Sequence, residues 1–286
     1  MIIVRFIGGL GNQMFQYSFY KYLEALNVIV KADITDFKDY KLHRFELETV
    51  FKLDWDKAST KEISKVKDAS LKIPSRIRRK IFGQNKSHIY QSDFSLNVLG
   101  GKENLYLDGF WQTDKFMYSD LRKIQRNFVF KLPPTKKNAV IIDEMRKSNS
   151  VSIHVRRGDY LKLKDVYAEC TKDYYQKAIS FLQSNNQDCD FYVFSNDISW
   201  CKEHLDFKDS KFTFIEHNTG VQSYEDIRLM TECKHNIIAN SSFSWWGAIL
   251  NESEDKKIIC PKNWYTDAKR ANDIFIPSDW IRLENK

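Results

Sequence analysis

The sequence predicts an α/β protein built on parallel β-sheets. Two observations support this class: short apolar, β-branched segments alternate with amphipathic helical segments through the second half of the chain, and polar loops follow four of those segments. A length of 286 residues with a hydrophobic content of 42% suffices for a sizeable core, and the length favours two domains.

The chain opens with a predicted strand at 2–7, a glycine-rich loop and a helix at 14–26. The loop Gly8-Gly9-Leu10-Gly11-Asn12-Gln13 offers bare backbone N–H groups and two amide side chains at a helix N-terminus, which suits a polar or anionic ligand. Gly9, Gly11 and Gln13 are therefore candidate substrate-binding residues. Beyond this loop we predict strands at 28–32 and 104–107, charged helices between 57 and 82, and a helix at 118–128.

A domain boundary is predicted at Lys131-Leu132-Pro133-Pro134-Thr135. Two consecutive prolines cannot continue a helix, and each pushes the preceding residue towards an extended conformation. We therefore predict domains at 1–133 and 134–286, with a last helix packing back on the first domain.

The alternation becomes regular after this boundary. Predicted strands lie at 150–154, 191–194, 212–216, 236–239 and 257–260, and predicted helices at 136–147, 174–183, 198–204, 223–233 and 243–250. Such a βαβ rhythm requires right-handed crossovers, and ligands then bind at the carboxyl ends of the strands. The polar loops at 154–159, 195–197, 217–218 and 240–244 should therefore converge on one edge of the sheet.

The loop after the central predicted strand concentrates charge. His154-Val155-Arg156-Arg157-Gly158-Asp159 follows a buried apolar run, and two guanidinium groups there are costly to bury unless an anion meets them. An Arg–Asp ion pair that ties the loop down is the alternative. Ser195 and Asn196, at the next strand end, are further candidate substrate-binding residues.

A second polar turn, Asn240-Ser241-Ser242-Phe243-Ser244, opens a helix after another buried strand. Its hydroxyl and N–H groups lie at the positive end of the helix dipole, where a phosphate would bind, although the serines could equally cap the helix. Ser241, Ser242, Phe243 and Ser244 are therefore candidate ligand residues. Trp245 and Trp246 have apolar neighbours and are predicted to be core.

Asp226 begins an amphipathic helical segment. Its carboxylate could accept hydrogen bonds from guanine, or it could simply favour the dipole of the first helical turn.

Composition narrows the class of protein further. The five cysteines are odd in number and never spaced Cys-x-x-Cys, which indicates core thiols in a reducing compartment and hence a cytoplasmic protein. No segment has the length or the apolar character of a signal peptide or a membrane span. The formal net charge of +7 favours anionic partners, and the cluster Arg76, Arg78, Arg79 and Lys80 allows peripheral contact with the inner face of a membrane.

Two other classes of site are disfavoured by the sequence. Nucleic-acid binding needs exposed aromatic residues beside basic ones, whereas the aromatic residues here lie mostly in apolar strands. The triplets Asp54-Trp55-Asp56 and Asp188-Cys189-Asp190 do not follow a predicted strand, so we interpret them as surface acids and predict no metal and no cofactor.

Three motifs, at 8–17, 154–160 and 240–248, resemble in order the signatures of glycosyltransferase family eleven, whose members are mostly α-1,2-fucosyltransferases, bacterial ones included. The resemblance implies a GT-B-like architecture of two Rossmann-like domains with parallel sheets facing a cleft. It also implies a GDP-fucose donor, inversion at the anomeric carbon and no metal. The expected activity is transfer of L-fucose from GDP-β-L-fucose to the 2-hydroxyl of a galactoside in a glycan acceptor; transfer to another sugar or to a protein hydroxyl is the alternative.

The same resemblance suggests residue roles. Arg156 is expected nearest the β-phosphate, with Arg157 assisting it or locking the loop through Asp159. Asn12 is expected near the reacting centre and His154 near the nucleotide. Either His154 or Asp159 could be the general base, since the residues themselves do not decide between them.

Overall fold

The computed structural model describes residues 1–39, 43–68, 77–78, 80–81, 83, 85–100, 104–113, 115, 121–158, 160–185, 188–205, 210–270 and 273–286. The chain divides into two compact units, Met1–Lys131 and Leu132–Lys286. Each unit is an α/β structure built on one parallel sheet. Asp159 lies outside the described residues.

The first unit contains a four-stranded sheet of order β2-β1-β4-β3, in which every neighbouring pair is parallel. Its strands are β1 (Ile2–Arg5), β2 (Val30–Asp33), β3 (His88–Tyr90) and β4 (Leu105–Asp108). Its α-helices include α1 (Leu10–Ala25), α2 (Leu47–Val50), α3 (Thr60–Val66) and α4 (Leu121–Arg126). Strand β3 was not predicted from the sequence, because three residues are too few to show an alternating pattern.

The second unit contains a six-stranded sheet of order β10-β9-β8-β5-β6-β7, again parallel throughout. Its strands are β5 (Asn149–Val155), β6 (Cys189–Ser195), β7 (Lys211–Ile215), β8 (His235–Ile237), β9 (Ile258–Pro261) and β10 (Ile281–Leu283). Its α-helices include α5 (Lys136–Lys147), α6 (Lys172–Asn185), α7 (Ile198–His204), α8 (Glu225–Glu232) and α9 (Ser242–Ile249). Strand β10 occupies the C-terminal segment in which a last helix was expected.

The central strand β5 is buried on both faces, as expected for a parallel sheet covered by helices. Val151, Ile153 and Val155 pack into one hydrophobic cluster with α6. The prediction that Trp245 and Trp246 are core is confirmed, since both are fully buried. All five cysteines are buried as well.

The register of the sheet aligns the strand ends that carry the polar loops. Val155 at the end of β5 pairs with Ser195 at the end of β6, and Ile153 pairs with Ile237 in β8. The loops after β5, β6 and β8 therefore leave the same edge of the sheet, as predicted. Among the described residues, no helix is both long and apolar enough to cross a membrane.

The basic cluster at 76–80 is described only in part, because Arg76 and Arg79 lie outside the described residues. Arg78 forms an ion pair with the carboxylate of Asp68. Part of the positive charge of this cluster is thus neutralised within the first unit.

Candidate active site

His154 lies near the end of β5, with its side chain inside the second unit. Its ring centre is 5.7 Å from that of Phe243 in the first turn of α9, so the β5 end and the α9 N-terminus are in contact. Burial, assisted by the charge of Arg156, lowers the pKa of His154 to about 3. Within the described residues its Nδ1 atom has no hydrogen-bond partner. The imidazole is therefore neutral at physiological pH, and so low a pKa makes it a weak proton acceptor.

Arg156 follows β5 and is half-buried. Its guanidinium carbon lies 5.4 Å from the centre of the Tyr160 ring, an arrangement in which the ring attracts and orients the cation. Arg156 and Tyr160 line a small cavity together with Asn240, the first residue of the polar turn 240–244 that opens α9 (the α9 turn). The guanidinium thus lies at the strand end where the sequence predicted an anion site.

Arg157 has a different environment from Arg156. Its side chain lies 3.5 Å from Asp197 and 3.6 Å from Glu169, and its guanidinium covers the Trp200 ring at 4.1 Å. Two carboxylates and an aromatic face therefore surround its guanidinium. Arg157 thus pairs with Asp197 and Glu169, while its predicted partner Asp159 lies outside the described residues.

Ser195 and Asn196, predicted to bind substrate, support this loop. The Ser195 hydroxyl accepts a hydrogen bond from the Asp197 N–H at 2.9 Å, and the Asn196 carboxamide oxygen accepts one from the Arg157 N–H at 3.0 Å. A Cβ on Gly158 would lie only 2.4 Å from the Asn196 amide nitrogen, so the glycine allows this close approach. Both residues shape the loop beside the candidate anion site.

The polar residues of the α9 turn differ in their hydrogen bonding and burial. Ser241 caps the helix by accepting a hydrogen bond from the Phe243 N–H at 3.3 Å, and the buried Ser244 hydroxyl donates to the Ala239 and Ser241 carbonyls at 3.4 and 3.3 Å. Ser242 and Phe243 are only half-buried. The capping function is therefore observed, while the positive end of the helix dipole still lies next to the β5 end.

Asp226 belongs to a polar network at the start of α8. Its carboxylate accepts a hydrogen bond from Asn218 at 2.9 Å, and Asn218 accepts one from Asn138 at 3.0 Å. The neighbouring Glu225 is buried and paired with Arg228 at 3.0 Å. Burial raises the pKa of Asp226 to about 7, and the charge of Glu225 adds to this shift. At neutral pH, Asp226 can therefore either accept or donate a proton.

The glycine loop of the first unit is held by amide side chains. Gln13 is fully buried; it donates to the Gly8 and Arg44 carbonyls at 2.8 Å each and accepts from the Glu46 N–H at 2.9 Å. Both side-chain groups of Gln13 are thus hydrogen-bonded within the fold, and its role in substrate binding stays a prediction. Gly11 is buried within α1, and Gly9 is the residue preceding that helix.

Asn12, by contrast, is half-buried, and its side-chain oxygen accepts a hydrogen bond from Gln112 at 2.8 Å. Gly8 has a φ of +87°, and a Cβ there would lie 2.6 Å from the Asn12 amide nitrogen. The hydrogen bond from Gln112 thus orients the Asn12 carboxamide, and Gly8 leaves room for its amide nitrogen. Gln112 was not identified from the sequence as a partner of Asn12. Its position in the loop after β4, which neighbours β1 in the sheet, could have indicated that the two residues lie close together.

The predicted surface acids are largely solvent-facing. Asp54, Asp56 and Asp188 are exposed, and the half-buried Asp190 pairs with Lys211 at 3.1 Å. In the described part of the chain, no group of three or more His, Cys, Asp and Glu side chains is arranged to hold a metal ion.

Similarity to known proteins shows to which class of enzyme this chain belongs. The family model "Glycosyl transferase family 11" matches residues 1–284, so this chain belongs to glycosyl transferase family 11 and is a glycosyltransferase. An α-1,2-colitosyltransferase of Escherichia coli is 33% identical over 301 residues, covering 99% of each chain. The human galactoside α-(1,2)-fucosyltransferase 1 is 27% identical over 194 residues, covering 63% of this chain and 52% of its own.

Among solved structures, a FUT1 mutant of Arabidopsis thaliana in complex with GDP is similar, with a TM-score of 0.51 and 12% identity over 90% of this chain and 69% of that one. At this identity the likeness concerns the fold alone. The predicted α/β, GT-B-like class with two parallel sheets is confirmed.

Proposed function

We propose that this protein transfers L-fucose, or a closely related 6-deoxy sugar, from a GDP-linked donor to the 2-hydroxyl of a galactoside in a glycan, with inversion. The observation that carries the proposal is Arg156 directly after β5, in a cavity that it lines with Asn240, while His154 of β5 packs against Phe243 in the first turn of α9. This is a fixed positive charge beside the positive end of a helix, an arrangement suited to a diphosphate. The similarity to an α-1,2-colitosyltransferase and a galactoside α-(1,2)-fucosyltransferase supports the linkage.

The proposed reaction breaks the bond between the anomeric carbon and the β-phosphate oxygen. The electron pair of that bond leaves with GDP, and the acceptor oxygen attacks from the opposite face of the sugar and loses its proton. Each preorganised donor to the developing negative charge is worth about 2.7–4 kcal/mol, so Arg156 and the α9 turn could supply much of the stabilisation that a metal would give. We therefore propose a reaction that needs neither metal nor cofactor.

Further roles follow from the environments of the site residues. We propose that Asp226 accepts hydrogen bonds from guanine and that Asn12 acts near the reacting centre. His154, neutral because of its low pKa, is suited to hydrogen bonding rather than to general-base catalysis. The base is left unassigned, with Asp159 still a candidate.

The donor sugar has two candidates. The relative named above transfers colitose, which is fucose without its 3-hydroxyl, whereas the resemblance in the motifs favours fucose. Transfer to another sugar or to a protein hydroxyl is the alternative acceptor class. A cytoplasmic location with peripheral membrane contact, and a division into an acceptor-side first unit and a donor-binding second unit, are part of the proposal.

The test is to incubate the protein separately with GDP-fucose, GDP-colitose, GDP-mannose and UDP-galactose and a panel of β-galactosides. Product linkages would be determined by NMR. We expect an α-1,2-linked product from one of the first two donors. Transfer from UDP-galactose alone, or no transfer from any donor, would refute the proposal.

A further inference from the structure

A ladder of stacked aromatic rings extends from Arg156 along the second unit. Tyr160 stacks on Tyr167 at 4.2 Å, and Tyr167 stacks on Tyr265 at 5.6 Å. The guanidinium carbon of Arg270 lies 3.9 Å from the centre of the Tyr265 ring. With a cation at each end, the ladder fixes the three rings in place.

Beside this ladder lies a pocket of about 490 Å³, lined by Tyr167, Glu169, Asn263, Tyr265 and Thr266 among others. Asn263 and Tyr265 follow β9, so the pocket opens at the same carboxyl edge of the sheet as Arg156. Its volume lies in the range of ordinary small-ligand sites, roughly 300–1,000 Å³.

The side chains of this pocket retain hydrogen-bonding capacity. The hydroxyls of Tyr167 and Tyr265 and the side-chain amide of the exposed Asn263 form no hydrogen bond with other described residues. None of these atoms belongs to the buried polar atoms that lack a hydrogen-bond partner, so solvent can reach them. The pocket thus presents fixed groups that can each donate and accept, which matches the hydroxyl groups of a sugar.

The charges of the pocket disfavour an anionic ligand. Lys164 pairs with Glu169 at 3.4 Å, and Glu284 pairs with Lys262. The positive charge is therefore largely balanced, whereas a phosphate site needs an excess of it.

The pocket adjoins the candidate donor site. Lys164, Tyr167, Ala168 and Glu169 line both this pocket and the small cavity that contains Arg156. Glu169 also lies 3.6 Å from Arg157. A ligand in the pocket would therefore lie beside the loop assigned to the diphosphate.

We propose that this pocket binds the galactoside acceptor glycan, through Tyr167, Tyr265, Asn263 and Glu169. The inference rests on the proposed function but revises one part of it, because it places an acceptor subsite in the second unit, whereas the first unit was proposed as the acceptor side. Hydroxyl, amide and carboxylate groups would bind sugar hydroxyls, while the ladder keeps them preorganised.

The test compares three variants with the wild-type protein. Ala268→Trp fills the pocket from an exposed position, Asn263→Ala removes one amide, and Ala25→Trp, exposed on α1 of the first unit, is the matched control. We expect the acceptor KM to rise roughly tenfold in Ala268→Trp and several-fold in Asn263→Ala. Such increases correspond to the loss of about one to two hydrogen bonds. The donor KM and kcat should remain nearly unchanged in both variants. Circular dichroism would verify that each variant is folded.

A second measurement separates this inference from the proposed function. Saturation-transfer NMR with a β-galactoside and GDP reports glycan binding without turnover, and we expect the signal in the wild type and in Ala25→Trp but not in Ala268→Trp. Unchanged acceptor KM, or an undiminished signal in Ala268→Trp, would overturn the pocket assignment. A wild type that binds the glycan in this pocket but transfers no sugar would instead refute the proposed function.

Discussion

The guanidinium of Arg157 lies 4.1 Å from the centre of the Trp200 ring, between the carboxylates of Asp197 and Glu169. Its neighbour Arg156 lies 5.4 Å from the centre of the Tyr160 ring instead, although both arginines line the cavity beside the α9 turn. Adjacent arginines thus have different surroundings, because successive residues leave the strand in different directions. Substituting each separately should therefore affect different properties of the protein.

Arg156→Lys should lower turnover more than donor binding. Lysine keeps the charge but loses the planar, forked donors that match a diphosphate, so the stabilisation of the leaving group is reduced. We expect kcat to fall by roughly 10²–10³, the usual effect of removing one preorganised donor. The affinity for GDP-fucose, measured by calorimetry, should change much less. Near-normal turnover would exclude this role for Arg156, and Arg146→Lys, at a mostly exposed site, is the control.

Arg157→Lys should act mainly on stability. Lysine cannot keep both the contact with the Trp200 ring and the two carboxylate contacts, so we expect the free energy of unfolding to fall by about 1 kcal/mol. Turnover should fall far less than in Arg156→Lys. Chemical denaturation together with steady-state kinetics would measure both effects. A variant as stable as the wild type but inactive would show that Arg157 acts on the substrate.

Much of the second unit could be predicted from the sequence, since buried parallel strands are apolar runs bounded by polar loops. The helix Ile198–His204 and the strand ends at Val155 and Ser195 follow from that pattern. The partners of Arg157 could not be predicted, because Glu169 and Asp197 lie on separate loops whose contact depends on tertiary structure. The hydrogen-bond partners of Gln13 could not be predicted either, because some of them lie in the segment 44–46, which no local sequence pattern links to the glycine loop.

Asp226 should make donor binding depend on pH. Only its carboxylate form can accept hydrogen bonds from guanine through both oxygens, and burial raises its pKa to about 7. We expect GDP-fucose to bind about tenfold more tightly at pH 8 than at pH 6, in proportion to the deprotonated fraction. GDP-fucose is preferred to GDP as the ligand because its diphosphate does not titrate in this range. Asp226→Asn should bind weakly at both pH values; a pH response retained in this variant would assign the effect to another group.

The same carboxyl should also affect stability. The pKa of Asp226 is higher in the folded than in the unfolded protein. Its contribution to the free energy of unfolding is therefore fully present below the pKa of the unfolded state, near pH 4, and is lost as the pH rises through about 7. Denaturation of the wild type and of Asp226→Asn at pH 5 and pH 8 should show a smaller pH dependence in the variant. An equal dependence in both proteins would mean that Asp226 titrates normally.

Chelation should leave the activity intact. Since Arg156 and the α9 turn are proposed to stabilise the leaving diphosphate, EDTA should change kcat by less than about twofold. The assay should follow dialysis against the chelator, with an untreated sample as the control. Complete loss of activity that manganese restores would refute the metal-independent reaction.

Gln112 should position Asn12 rather than contact the substrate. Its amide donates to the Asn12 oxygen at 2.8 Å, which directs the Asn12 nitrogen towards Gly8. Gln112→Glu keeps the size but cannot donate when ionised, so we expect kcat to fall roughly tenfold or more, the equivalent of one lost hydrogen bond, with an unchanged donor KM. Gln176→Glu, exposed on α6, is the matched control. Because an Asn12→Ala enzyme has no carboxamide left to orient, adding Gln112→Glu to it should have little further effect on kcat; additive losses in this double-mutant cycle would show that the two residues act independently.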